Sequence, residues 1–144
     1  MNVDDKIIVP EVVFYEGKFQ KGKAIWISHN KIFDIVSSDL LFDKKSNVQI
    51  EYWNNMAVIP GTINIHNHCF QSLLRGIGVG RPFLEWRDET LYKISPMLSP
   101  DDLYTGALFA FGEMMKYGVT TVCDYFYVHN NGIDSDQAII DAAR

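Results

Sequence analysis

Apolar and polar positions along the chain follow two different periods, and the change falls near residue 60. Before it, short runs rich in β-branched and aromatic residues are separated by turn formers. These runs are Ile7–Val9, Val12–Tyr15, Ala24–Ser28, Ile32–Val36 and Val48–Trp53, the last with the apolar/polar alternation of a half-buried strand. Gly17, Gly22 and the pair His29-Asn30 supply turns between them, so that Ala24–Val36 reads as a hairpin. Asp43-Lys44-Lys45-Ser46-Asn47 has the composition of a solvated loop. Residues 1–60 are therefore expected to form a small antiparallel β-sandwich, or part of one, whose role is that of a scaffold.

After residue 60 the period lengthens. Ala57–Ile59, Pro60-Gly61 and Thr62–His66 read as a chain leaving the first region and entering a buried strand, because β-branched residues suit a pleated surface. Ser99-Pro100-Asp101-Asp102 is a helix start, with a Ser N-cap, Pro at the first helical position and acids that complement the helix dipole. The helix is expected to run to Tyr117, with Leu103, Ala107, Ala110/Phe111 and Met114 as its core stripe. Gly118 stands where the chain must turn left-handed. Val119–Phe126 reads as a second buried strand and Ser135–Arg144 as the beginning of a further helix. The order strand, helix, strand implies a parallel pair joined by a right-handed crossover, so this half is of the α/β class.

Composition narrows the function. The chain has 144 residues, 47% of them hydrophobic and 22% charged, the make-up of an ordinary globular protein. A net charge of −5 and no basic run longer than Lys44-Lys45 provide no footprint for nucleic acid or an anionic membrane, which leaves a small molecule as the partner. No apolar stretch approaches the roughly 20 residues that span a bilayer, and the N-terminus lacks a secretory apolar core, so the expected compartment is the cytoplasm. Cys69 and Cys123 form no CxxC pair and are expected to be reduced thiols without assigned chemistry.

The chemistry concentrates in Ile63-Asn64-Ile65-His66-Asn67-His68. In an extended strand, residues two apart point to the same side, so both imidazoles can aim at one point and hold one metal ion. Alone, an H-x-H is a weak signal, since core or surface histidines reach this spacing by accident. Its position at the C-terminal end of a parallel strand strengthens it, because that is where α/β barrels build their sites.

Val58-Ile59-Pro60-Gly61-Thr62-Ile63-Asn64-Ile65-His66-Asn67-His68 resembles the segment that opens the barrel in the amidohydrolase superfamily, in the branch of metal-dependent deaminases and triazine chlorohydrolases. Leu73-Leu74-Arg75-Gly76 and Phe83-Leu84-Glu85-Trp86 resemble the loop after the first barrel strand of that family, and Gly118-Val119-Thr120-Thr121-Val122 the approach to the second. The resemblance implies an α/β fold, the N-terminal portion of a (β/α)8 TIM-type barrel preceded by a small β-sandwich. The boundary falls between 1–60 and 61–144, and the second part supplies only the first βαβ piece of the barrel. It also implies His66 and His68 as ligands of one divalent ion, zinc with iron as the alternative. The reaction implied is hydrolysis of an amidine-like C–N bond with release of ammonia. Further metal ligands and the general acid and base are expected beyond Arg144, so this length of chain is expected to be inactive alone.

Two subfamilies compete for the substrate. Phe70-Gln71, Trp86-Arg87 and Tyr127-Val128-His129 are similar to motifs of formimidoylglutamate deiminases, which implies Gln71, Trp86, Arg87 and Tyr127 as substrate-binding residues. Arg87 would clamp a carboxylate in two-point fashion, unless it is spent on a surface ion pair with Asp88 or Glu85. The 18-residue step from His68 to Trp86 is closer to the adenosylhomocysteine/methylthioadenosine deaminases. Those usually carry a ribose-binding Glu where this chain has Ser95. Trp86 would stack on a planar substrate or cover the site, and His129 is expected to be an exposed loop residue. A different class stays open, a non-catalytic remnant or a subunit completed by a partner, as does homo-oligomerisation of the full-length protein.

Overall fold

The computed structural model describes residues 5–41 and 48–144. The chain divides into two compact units, Met1–Pro60 and Gly61–Arg144. The expected loop at Asp43–Asn47 lies outside the described residues.

The first unit is built around β1 (Lys6–Tyr15). β2 (Lys18–Gln20) and β3 (Lys23–Ser28) pair with β1 antiparallel, and β4 (Lys31–Ser37) pairs with β3. The β3–β4 hairpin sets Ala24 opposite Val36. Its turn holds His29 at φ 50° and Asn30 at φ 60°, both left-handed, which matches the twist of the flanking strands. The two expected runs Ile7–Val9 and Val12–Tyr15 are one strand, with an irregularity between Pro10 and Val12 where proline offers no N–H to the ladder.

The expectation of purely antiparallel pairing is corrected. Among the described residues the unit is a single five-stranded mixed sheet, because β5 (Gln49–Val58) runs parallel to β1, with Ile7 beside Ile50 and Val13 beside Val58. Alternation fixes which face a side chain takes and carries nothing about strand direction, so the parallel partner is invisible in the period. Ile7, Ile8, Val13, Ala24 and Ile25 are the buried apolar residues of this sheet, and since Ile7/Ile8 and Ala24/Ile25 are strand neighbours they point to both of its faces.

The second unit opens with β6 (Thr62–Asn67), followed by a 3-10 segment, Cys69–Leu74. A broken helical stretch then comprises α1 (Phe83–Trp86), a wider π turn Arg87–Leu91, and α2 (Tyr92–Ile94). α3 (Pro100–Lys116) is the crossover, β7 (Val119–Asp124) lies parallel to β6, and α4 (Ile133–Ala142) ends the chain. The capping signal is realised in full: Ser99 Oγ accepts the Asp102 amide at 3.2 Å, and the Asp102 carboxylate accepts the Ser99 amide at 2.9 Å. Gly118, at φ +81°, turns the chain from α3 into β7. Leu103, Ala107 and Ala110 of α3 are buried against Phe70, Leu91 and Ile139, with Phe111 and Met114 packed at the margin.

Three expectations shift. β7 stops at Asp124 rather than Phe126, and α4 begins at Ile133, directly after Gly132 at φ 58°. The two strands were expected to be buried, yet Ile63 and Ile65 are 65% and 74% exposed. Burial of a parallel strand depends on helices over both faces and strands on both edges. Among the described residues this sheet consists of β6 and β7.

Candidate metal centre and adjoining cavity

His66 lies near the end of β6, and His68 follows the strand end with φ −132° and ψ 82°, outside regular strand geometry. The two rings converge nonetheless, with their Nε2 atoms 3.2 Å apart. Two nitrogens each 2.0–2.1 Å from one ion, at angles between a right angle and tetrahedral, would stand about 2.9–3.4 Å apart. The pair fits a shared ion in spacing.

Orientation fits too. His68 Nδ1 is 2.7 Å from the carbonyl oxygen of Tyr125. Only a protonated ring nitrogen can approach a carbonyl so closely, so Nδ1–H donates and Nε2 carries the lone pair a metal requires. The Tyr125 amide in turn donates to the Asn67 carbonyl at 2.7 Å, which ties the acceptor to β6. The Tyr125 ring stacks on His66, with centroids 4.6 Å apart. Among the described residues no group of three or more His, Cys, Asp or Glu side chains is placed to hold a metal.

Asp124, the last residue of β7, fixes the chain on either side of His68. Its Oδ1 accepts the Asn67 side-chain amide at 2.6 Å and the Cys69 backbone amide at 2.8 Å, and its Oδ2 accepts the Cys69 thiol at 3.1 Å. Burial, reinforced by the Asp124 carboxylate, pushes the Cys69 thiol well above its usual range. Cys69 is thus a protonated donor inside the fold rather than a nucleophile or ligand.

Of the expected substrate residues, Gln71 and Tyr127 join the histidines. Gln71 Nε2 donates to the Tyr127 hydroxyl at 3.0 Å, and the Tyr127 ring meets His68 edge-on with centroids 5.3 Å apart. Trp86 and Gln71 line one open cavity of about 480 Å³. Gly78 lies flat against the indole at φ +85°, where an added Cβ would come within 2.3 Å of Trp86 Cδ1. Arg87 is placed elsewhere: its Nε donates to Asp88 at 2.7 Å and its guanidinium lies over the Tyr92 ring at 5.1 Å. His129 is an exposed loop residue paired with Asp136 at 2.7 Å. Tyr125 and Asp124 were missed by sequence reasoning. Tyr125 acts on His68 through a backbone carbonyl, which has no side-chain signature. An acid at the C-terminal end of a parallel strand was the available signal for Asp124.

A histidine pair at the end of one strand of a parallel pair joined by a crossover helix gives this unit an α/β architecture, and comparison with known proteins names the family. The model of the amidohydrolase family matches residues 57–144, more than half of the chain. The chain belongs to the amidohydrolase family. A 5-methylthioadenosine/S-adenosylhomocysteine deaminase of Dictyoglomus turgidum is 34% identical over 123 residues, 85% of this chain and 28% of that protein. One of the same name from Carboxydothermus hydrogenoformans is 34% identical over 72% of this chain and 24% of its own length. The chain thus spans about a quarter of the length of these curated relatives. An adenosine deaminase from Xanthomonas campestris, solved with bound zinc, superposes with a TM-score of 0.75 at 21% identity, over 92% of this chain and 31% of that one. At that identity the likeness establishes the fold.

Proposed function

We propose that the protein containing this chain is a metal-dependent amidohydrolase that deaminates a 5′-thio-substituted adenosine hydrolytically, releasing ammonia, with His66 and His68 among the ligands of one divalent ion. Zinc is the first choice of ion and iron the second. The observation that carries the reading is the convergence of the two Nε2 atoms at 3.2 Å, with His68 oriented through the Tyr125 carbonyl. When bound, the ion supplies a Lewis acid that activates water near neutral pH.

The chain's own residues prepare that chemistry. Asp124 and Tyr125 hold His68 in one tautomer and one direction, so little reorganisation is needed when the ion binds. Tyr127 and Gln71 present a hydroxyl and an amide beside the histidines, suited to the polar edge of a flat heterocycle. Trp86 lines the cavity that Gln71 also lines, where an indole suits a flat ring. The remaining ligands and the groups that move the proton to the leaving nitrogen are proposed to come from elements outside this chain. The acidic balance of the chain is in keeping with a small solute as substrate, and the cytoplasm is the proposed compartment.

The formimidoylglutamate reading keeps one supporting observation, since Gln71 and Tyr127 of that motif are in contact. The adenosine reading is preferred because the relatives named above are deaminases of 5-methylthioadenosine and S-adenosylhomocysteine. Ammonia release by the full-length protein separates the two. Turnover of the thio-adenosines supports the proposal; turnover of formimidoylglutamate, with none of any adenosine, would replace it by the second reading.

A further inference from the structure

We propose that Arg81 is the residue that reads an anionic substituent on the substrate, so that the cavity it lines, with Gln71, Phe83 and Trp86, sets which amidine-bearing molecules are accepted. The inference rests on the deaminase reading above and adds to it a determinant of specificity.

The cavity of about 480 Å³ adjoins the histidine neighbourhood at Gln71, which lines it and donates to Tyr127 beside His68; the histidines themselves are not in its lining. On this proposal a ligand with its reacting carbon at the histidines extends its far end past Gln71 into the cavity. The lining is apolar and aromatic apart from Gln71 and two arginines, Arg75 and Arg81.

Three arginines lie in this stretch of the unit, and two are already engaged. Arg75 gives both terminal nitrogens to Glu113, at 2.9 and 2.5 Å, and its guanidinium lies over the Phe109 ring at 4.9 Å. That two-point pair is the arrangement a ligand carboxylate would otherwise occupy. Arg87 is committed to Asp88 at 2.7 Å and to the Tyr92 ring, and it is absent from the cavity lining. Arg81 has one carboxylate partner among the described residues, Glu85, and it stands 4.0 Å from Nε, the outer limit of an ion pair. Half-exposed i,i+4 pairs of this kind are worth little. Arg81 thus keeps its planar fork of donors available while its position in the cavity is shared with Trp86.

A guanidinium near an aromatic wall suits a ligand with a flat ring and a carboxylate. S-adenosylhomocysteine carries such a carboxylate on its amino-acid tail; 5-methylthioadenosine shares the ring and the sulfur but lacks the charge. Arg81 accordingly favours the first over the second.

The test uses the full-length protein and measures kcat/KM for both nucleosides, together with their equilibrium binding by calorimetry. In Arg81→Gln the preference for S-adenosylhomocysteine over 5-methylthioadenosine falls roughly 10- to 100-fold, mainly through KM, as expected for loss of a charge-assisted contact. Arg81→Lys recovers part of that preference. An unchanged ratio, or an equal loss on both substrates, overturns the inference while leaving the deaminase reading intact. Failure of the unmodified protein to bind or turn over either nucleoside overturns the deaminase reading and the inference with it.

Discussion

His68 is constrained from three directions, by the Tyr125 carbonyl on its Nδ1, by Asp124 on the residues either side of it, and by the edge of Tyr127. A ligand held this way binds an ion without first being ordered, which is why partners one step removed from a metal commonly matter 10- to 100-fold in affinity. Asp124→Ala in the full-length protein is expected to weaken zinc binding by about that factor, measured by competition with a chelator, and to cost roughly 1–3 kcal/mol of stability because the Cys69 amide loses its acceptor. An unchanged zinc affinity would show that the Asp124 network supports the fold and not the histidine. The same network predicts that a thiol reagent finds the two cysteines very unequal. Cys123 is exposed and should react quickly, whereas Cys69 is buried with its thiol protonated and should stay silent until the protein unfolds. Equal rates would contradict the placement of Cys69. His66 and His68 were legible in the sequence because a strand's period of two is geometric. The Tyr125 carbonyl was not, because backbone acceptors carry no residue code.

At the scale of elements, α3 was the most readable piece, since each end is written in residue types with a local physical reason. Ser99→Ala removes the acceptor for the Asp102 amide and should cost about 1 kcal/mol, seen as a lower melting temperature. Gly118→Ala forces a Cβ into the left-handed region and should cost a similar amount. The cap also has a sign in pH. Hydrogen bonds from the Ser99 hydroxyl and amide hold the Asp102 carboxyl below the usual aspartate range. Its stabilising contribution is therefore complete above about pH 4 and is lost as acid protonates it. The difference in melting temperature between the unmodified protein and Asp102→Asn should narrow as pH falls through that range. A difference independent of pH would mean the carboxylate is not what Ser99 binds. Strand direction and burial were less legible. β5 pairs with β1 across more than thirty intervening residues, a choice settled by tertiary packing. β6 looks buried by composition, but an apolar strand is buried only if something covers it.

For the whole molecule, uncovered apolar surface is the dominant fact. Ile63, Ile65, Met115 and Ile133 are each at least 65% exposed in the second unit. Such surface drives association. Expressed alone, the 144-residue chain is expected to elute from a sizing column well above its monomer mass, and a well-behaved monomer with a sharp melt would contradict that. The central claim, that His66 and His68 are metal ligands, is tested most directly in the full-length protein by measuring bound metal and ammonia release side by side in His66→Ala and His68→Ala. Each substitution removes one of the two converging nitrogens. The account predicts that both variants lose the ion and lose turnover together, with the fold retained by circular dichroism. Full metal content with near-normal turnover in either variant would make the pair structural and contradict the account.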